Sequence, residues 1–163
     1  MLRDKDYFGI DSSKIGTVNS TLIFYAMATT IPVGLVSGYC YDLFGRKLII
    51  ILNLFLMCFL CYITPYTSPD LTLLQLTYIF VRATLIFVSC NPLCADYVEK
   101  GSLGKASALQ NFGALIGDCF AMGFLMTITA NMTHENAFFV TSIIGAALVT
   151  PLFFMIAEPK IKA

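Results

Sequence analysis

The chain has 163 residues, of which 58% are hydrophobic and only 12% are charged. Because soluble domains carry about 25% charged residues, this composition excludes an ordinary soluble domain and indicates an integral membrane protein that crosses the bilayer several times. Ten acidic and ten basic residues balance to zero net charge, and the absence of a basic stripe argues against a nucleic-acid partner.

Five apolar segments follow one another along the chain, and each approaches the roughly 20 residues that an α-helix needs to span a bilayer. They are residues 15–39, 48–66, 71–95, 106–130 and 137–157. The segments are too long for strands and do not alternate apolar with polar residues, and a backbone in lipid must satisfy its own hydrogen bonds. We therefore predict an all-α fold, a polytopic membrane helix bundle with five transmembrane helices in a lipid bilayer.

The basic residues of the connections and of the carboxyl end lie on one side of this predicted bundle. That side holds Arg46, Lys47, Lys100, Lys105, Lys160 and Lys162. The opposite connections, residues 67–70 and 131–136, contain neither lysine nor arginine. The excess of basic residues predicts that the first side is cytoplasmic. The amino-terminal segment then lies outside, which is simplest if an upstream helix is missing, so we expect a fragment of a larger protein.

The connection between the first two segments carries a distinctive set of residues. Gly38 allows close helix approach, and Gly45 can adopt a positive φ at little cost. Asp42 can cap a helix end or pair with a base. Arg46 and Lys47 can anchor the second helix at an anionic leaflet. Anchoring alone would account for the two basic residues but not for the spacing of the whole set.

This G-x3-D-x2-G-R-K pattern resembles the signature loop between transmembrane helices two and three of the major facilitator superfamily. Arg82, in the next-but-one segment, resembles a buried arginine often found in helix four, and Asp96 follows at the end of that segment. The resemblance extends over essentially the whole chain, as helices two to six of a twelve-helix transporter. Residues 1–163 are therefore expected to form a partial transporter domain that lacks the first helix.

The resemblance implies a mechanism. Asp42, Arg46 and an acid at the end of helix four, here Asp96 with Glu99 as the substitute, would form a cytoplasmic charge network. Such a network latches the two halves of the transporter in the outward-open state, and its breaking accompanies the rocking of one half against the other. Leu103 stands where the family often has an arginine, and the Gly-Pro pair of the antiporter motif is absent. These departures argue against drug–proton antiport.

Three polar residues lie inside the apolar segments and are candidate cavity or coupling residues. Arg82 either binds an anionic substrate or forms a structural pair with Asp118 or with backbone carbonyls, since a cation at lipid depth needs a partner. Asn111 and Asp118 are seven residues apart and fall on one side of the fourth segment. Beside them lies a stripe of small residues that we interpret as helix packing, formed by Gly113, Gly117 and Ala121.

Catalytic and metal-binding signatures are missing from the sequence, so we predict no enzyme activity, no cofactor and no metal. Cys58-x-x-Cys61 has the spacing of a redox or zinc pair, but it lies at lipid depth with no histidine nearby. We interpret both cysteines as small apolar helix residues.

Two hypotheses of function follow. In the first, the chain is part of a larger secondary transporter that moves a small solute, with or without a coupling ion, by alternating access. In the second, it is a non-transporting membrane assembly or regulatory protein with transporter ancestry. Five helices cannot form two rocking halves, so transport requires the missing half or another chain.

Overall fold

A computed structural model of the chain describes residues 1–2, 4–89 and 97–156. Within these ranges seven α-helices are present and no strand is found. The helices are α1 (Ser12–Ala28), α2 (Thr30–Phe44), α3 (Arg46–Ile63), α4 (Leu71–Ser89), α5 (Leu103–Phe120), α6 (Met126–Thr129) and α7 (His134–Met155). Short 3₁₀ turns occupy Thr64–Thr67 and Lys100–Ser102, and a π-helical turn, Ala121–Leu125, joins α5 to α6.

These helices form five segments that are long and apolar enough to cross a membrane. The segments are Ser12–Phe44, Arg46–Thr67, Leu71–Ser89, Leu103–Thr129 and His134–Met155. The predicted all-α membrane helix bundle is thereby confirmed, and the chain is an integral, multi-pass membrane protein.

The first span is interrupted at Thr29, which separates α1 from α2. Pro32 lies one turn further on, has no N–H to donate to the preceding turn, and its ring crowds the carbonyl four residues earlier. The Thr29 hydroxyl donates a hydrogen bond to the Tyr25 carbonyl at 2.8 Å and occupies an acceptor near the break. Both α1 and α2 pack against α4.

The centre of the bundle is α3, which packs against α4 on one side and α7 on the other. At the contact with α7, the Ser142 hydroxyl donates to the Cys58 carbonyl at 2.7 Å. A Cβ placed on Gly145 would lie only 2.9 Å from Cys58 Sγ, so this glycine permits the close approach of the two helices. Cys58 thus packs against α7, in agreement with its interpretation as a small helix residue.

The ends of α3 and α7 show that the two helices are antiparallel. Lys47 Nζ lies 5.1 Å from the centroid of the Phe153 ring, whereas the Tyr62 and Phe139 rings lie 5.8 Å apart near the other ends. The start of α3 and the end of α7 therefore share one end of the bundle, which we call the basic end because Arg46 opens α3 there.

The opposite end gathers the amino-terminal segment and two connections. The Ser68 hydroxyl donates to the Tyr7 carbonyl at 2.8 Å. His134 Nε2 lies 3.4 Å from Asp4 Oδ2, and the His134 and Tyr7 rings meet edge to face at 5.1 Å. Thr133 caps α7 by accepting a hydrogen bond from the Asn136 N–H.

Glycine has different roles at the two positions singled out in the sequence. Gly45, between α2 and α3, has φ 85° and ψ 148°, a conformation that is essentially restricted to glycine. Gly38 lies in an exposed part of α2, and no described atom comes within 4 Å of a Cβ placed on it. Among the described residues no helix approaches Gly38 closely, so the expected close approach at Gly38 stays a prediction, whereas α3 and α7 do approach closely at Gly145.

We expect Gly45→Ala to lower the free energy of unfolding by about 1–3 kcal/mol, because alanine is strained at this φ and ψ. The matched variant Gly38→Ala adds the same methyl group in open space within a helix. It should stabilise the protein by up to about 1 kcal/mol, the difference in helix propensity. Unfolding of both variants in detergent, followed by circular dichroism, measures the difference. Equal effects at the two positions would contradict the assigned role of Gly45.

Candidate functional site

The loop between α2 and α3 lies at the basic end of the bundle. Asp42 is exposed on the last turn of α2 and forms no ion pair with any residue that the structure describes. Arg46 and Lys47 are half-buried in the first turn of α3. Asp96, the predicted partner of Arg46, lies outside the described residues, so the charge network stays a prediction.

Beneath this loop lies a small apolar cluster that sequence reasoning missed. Tyr41, only 2% exposed, meets Phe87 of α4 edge to face at 6.2 Å and packs in a cluster with Ile50. Ser37 is also buried, and its hydroxyl donates to the Gly34 carbonyl at 2.8 Å. The sequence did contain a signal for this buried face, because Ser37 and Tyr41 are four residues apart and residues with that spacing share one face of a helix. This face of α2 holds the loop in place through packing against α3 and α4.

Arg82 lies in α4 where this helix meets α1. It is half-buried, and its Nη2 lies 3.8 Å from Met27 Sδ. Among the described residues no carboxylate pairs with it. The proposed structural pair with Asp118 is not formed between these two described residues, and Asp118 is exposed on α5. A thioether is a weak acceptor, so most of the guanidinium donors have no acceptor among the described side chains.

A separate groove lies between α1 and α4; Arg82 does not line it, and three of its six lining residues are apolar. It encloses about 170 Å³, and its polar lining consists of Thr17, Thr21 and Gln75. Gln75 precedes Arg82 by seven residues, so the two lie on one face of α4 about 10 Å apart along the helix axis. Since α4 begins at the end opposite the basic end, the groove lies nearer that opposite end and Arg82 lies deeper. The seven-residue spacing of Gln75 and Arg82 is visible in the sequence, but the sequence does not show that α1 faces this part of α4.

Asn111 and Asp118 both lie on α5, which has no buried residue. Every residue from 107 to 124 is exposed, including the small-residue stripe, and no described atom comes within 4 Å of a Cβ placed on Gly113 or Gly117. The described helices therefore do not use this stripe for packing. Arg82 and the two polar residues of α5 are not brought into one described cavity.

Asn53 is a buried polar residue that sequence reasoning also missed. It lies within the apolar part of α3, is 8% exposed, and its Nδ2 donates to the Ile49 carbonyl at 2.8 Å. This hydrogen bond stays within one helix, so at least one donor of the amide is satisfied at membrane depth without a ligand. We therefore interpret Asn53 as a structural residue.

A second cavity, of about 320 Å³, lies at the end opposite the basic end. Its titratable lining comprises Asp4, Asp6, Tyr7, His134 and Glu135. Because these groups belong to the amino-terminal segment and to the start of α7, their contacts hold the amino-terminal segment against the bundle.

Almost the whole length of the chain is similar to known membrane transporters. The family model described as Major Facilitator Superfamily matches residues 4–163. The chain is 23% identical over 156 residues to Probable anion transporter 6 from Oryza sativa subsp. japonica, covering 94% of this chain and 36% of that protein. It is 22% identical over 144 residues to Probable anion transporter 7 from the same plant, covering 87% of this chain and 32% of that protein. The chain thus spans about a third of the length of these curated relatives. No solved structure gives a significant match.

Proposed function

Since the chain belongs to the major facilitator superfamily, we propose that it is part of a larger secondary transporter that moves a small anion by alternating access. Family membership supports transport across a membrane rather than catalysis. The two rice relatives are named as probable anion transporters, which supports an anionic solute.

The observation that carries the proposal of an anion is the environment of Arg82. Its cationic group lies at mid-span, and its described side-chain contact is a thioether rather than a carboxylate. A cation at membrane depth is costly unless it meets a partner, water or a ligand. An anionic solute supplies the missing charge, and the guanidinium can bind a carboxylate or a phosphate through two parallel hydrogen bonds.

The exposure of α5 supports the larger assembly. Asn111 and Asp118 would contact lipid if the described helices stood alone in a bilayer. Amide and carboxylate groups at this depth normally face a bundle interior or a water-filled cavity. In transporters built from repeated halves, the substrate path lies between the halves near the bilayer midplane. Further helices that face α5 would place both residues along such a path.

Reconstitution in liposomes tests the proposal. We compare the 163-residue chain with the longest polypeptide encoded at its locus that contains it. Labelled inorganic phosphate serves as the probe, with chloride and small organic carboxylates as competitors. The longer polypeptide should show saturable, competable uptake, and the 163-residue chain should show none, because it supplies only one wall of the path.

Two results would overturn the proposal. Saturable uptake by the 163-residue chain, lost in Arg82→Ala or Asp118→Asn, would show that no larger assembly is needed. A longer polypeptide that inserts correctly but takes up neither the probe nor labelled versions of the competitors would contradict anion transport. That second result would favour the assembly or regulatory role.

A further inference from the structure

At the basic end of the bundle, α3 and α7 enclose a groove of about 220 Å³. The groove is lined by Lys47, Leu48 and Ile51 from α3 and by Phe153 from α7. Ile51 forms its floor and is 5% exposed, whereas Leu48 is 53% and Phe153 46% exposed. The groove is thus a shallow apolar channel on the outside of the helix pair, with a lysine at its mouth.

Lys47 gives this groove its charge. The ammonium group lies 5.1 Å from the centroid of the Phe153 ring, a cation–π distance. Among the described residues Lys47 forms no ion pair. Each lysine has three donors and no acceptor, so the aromatic ring satisfies its charge only in part. An anion at the mouth of the groove would complete its coordination.

The position of the groove limits what can occupy it. The groove lies at the end of two helices that cross the membrane, so an apolar chain is available from the bilayer and a polar head from its surface. A phospholipid has both parts in the required order. A net anionic lipid is favoured over a zwitterionic one, because Lys47 would attract a phosphate and repel a choline ammonium.

We propose that the groove formed by Lys47, Leu48, Ile51 and Phe153 binds an anionic glycerophospholipid. One acyl chain lies along the apolar residues, and the headgroup phosphate accepts hydrogen bonds from the Lys47 ammonium. The bound lipid joins the start of α3 to the end of α7 beside the loop that follows the last turn of α2. This site is independent of the proposed transport activity and of Arg82.

The chain contains no tryptophan, so a single introduced tryptophan is a clean fluorescent reporter. We place Leu48→Trp in the 163-residue chain, reconstituted in nanodiscs of phosphatidylcholine that contain either brominated phosphatidylglycerol or brominated phosphatidylcholine at equal mole fraction. Bromine quenches tryptophan on contact. We expect the anionic lipid to associate with the reporter about fivefold more strongly than the zwitterionic lipid, the preference that one lysine confers near an anionic surface.

The control reporter is Phe154→Trp. Phe154 is next to Phe153 in the sequence, is 80% exposed and does not line the groove, so this reporter should show no such preference.

Substitutions in the Leu48→Trp background identify the charge responsible. Lys47→Gln should abolish the preference and Lys47→Arg should keep it, because arginine retains the positive charge. Lys105→Gln removes the same charge from an exposed residue at the start of α5 and should leave the preference unchanged. A parallel set of proteins carries Phe154→Trp as its single tryptophan together with each of the same lysine substitutions, and its quenching reports correct insertion.

Three results would overturn the proposal. Equal quenching by the two lipids at Leu48→Trp would exclude selectivity for an anionic lipid. An equal loss with Lys105→Gln would show general surface attraction instead of a site. Absence of quenching by either lipid would show that protein, such as a second copy of the chain, covers the groove.

Discussion

Anion uptake by the longer polypeptide should fall at least about tenfold when Arg82 is replaced by glutamine, the loss expected when a hydrogen-bonded ionic contact of 1.5–3 kcal/mol is removed. Glutamine keeps much of the length of the side chain and removes the charge. The described contact of this guanidinium is with Met27 Sδ at 3.8 Å, which contributes little to folding. The loss should therefore appear in uptake rather than in the amount of protein in the membrane.

Two further variants separate binding of the anion from general disruption. Arg82→Lys keeps the charge but not the planar fork that holds a carboxylate or a phosphate, so it should retain an intermediate rate. Met27→Leu removes the sulfur that contacts Arg82 and keeps the side-chain volume, so uptake should stay close to that of the unmodified protein. Initial rates of uptake over a range of anion concentrations, normalised to inserted protein, provide the measurement. An unchanged rate in Arg82→Gln would remove this residue from the anion path.

Gly145→Val should destabilise the helix pair α3–α7 by about 1–3 kcal/mol, the usual cost of overpacking a tight contact. A Cβ at this position would lie 2.9 Å from Cys58 Sγ, and the branched side chain adds two more carbons. Relief requires either that the Cys58 side chain leave its position or that the helices separate, and separation would lengthen the 2.7 Å hydrogen bond between Ser142 and the Cys58 carbonyl. Unfolding in mixed detergent micelles with increasing dodecyl sulfate measures the change in free energy.

The matched control is Gly117→Val on α5, where no described atom comes within 4 Å of the added Cβ. Its effect on unfolding should be neutral or stabilising, since valine has the higher helix propensity. Adding Cys58→Ala to Gly145→Val removes the sulfur atom that would clash with the valine side chain and should recover most of the lost free energy of unfolding. Equal destabilisation at Gly145 and Gly117, or no recovery in the double variant, would show that the Gly145–Cys58 contact does not set the spacing of the helices.

The two glycines also show which part of the fold could be predicted. A stripe of small residues on α5 was expected to pack, yet it is exposed along its length. Gly145, which was not singled out, has a close neighbour, Cys58 Sγ, at 2.9 Å from a Cβ placed on it. A glycine at helical spacing indicates where helices could approach, and only the arrangement of the other helices decides whether one does.

For the candidate functional site, too, the sequence predicted some features and not others. The functional candidates Arg82, Asn111 and Asp118 stood out because charged and amide groups are rare in apolar segments. Their surroundings could not be predicted: Met27 beside Arg82 lies 55 residues away in the sequence, and the exposure of α5 depends on every helix that could have covered it. Gln75 and the two threonines of the α1–α4 groove were missed because their role depends on which helix faces them.

The sequence by itself determined the number of spans, their helical nature and the family, because span length and motif spacing are properties of neighbouring residues. It also allowed a positive φ at Gly45, which the structure then showed. Only the tertiary structure decided that α3 lies between α4 and α7, that Gly145 meets Cys58, and that Lys47 and Phe153 form one groove. In lipid the apolar faces of all helices are nearly equivalent, so hydrophobicity does not choose between partners, and close fit and hydrogen bonds between distant residues do.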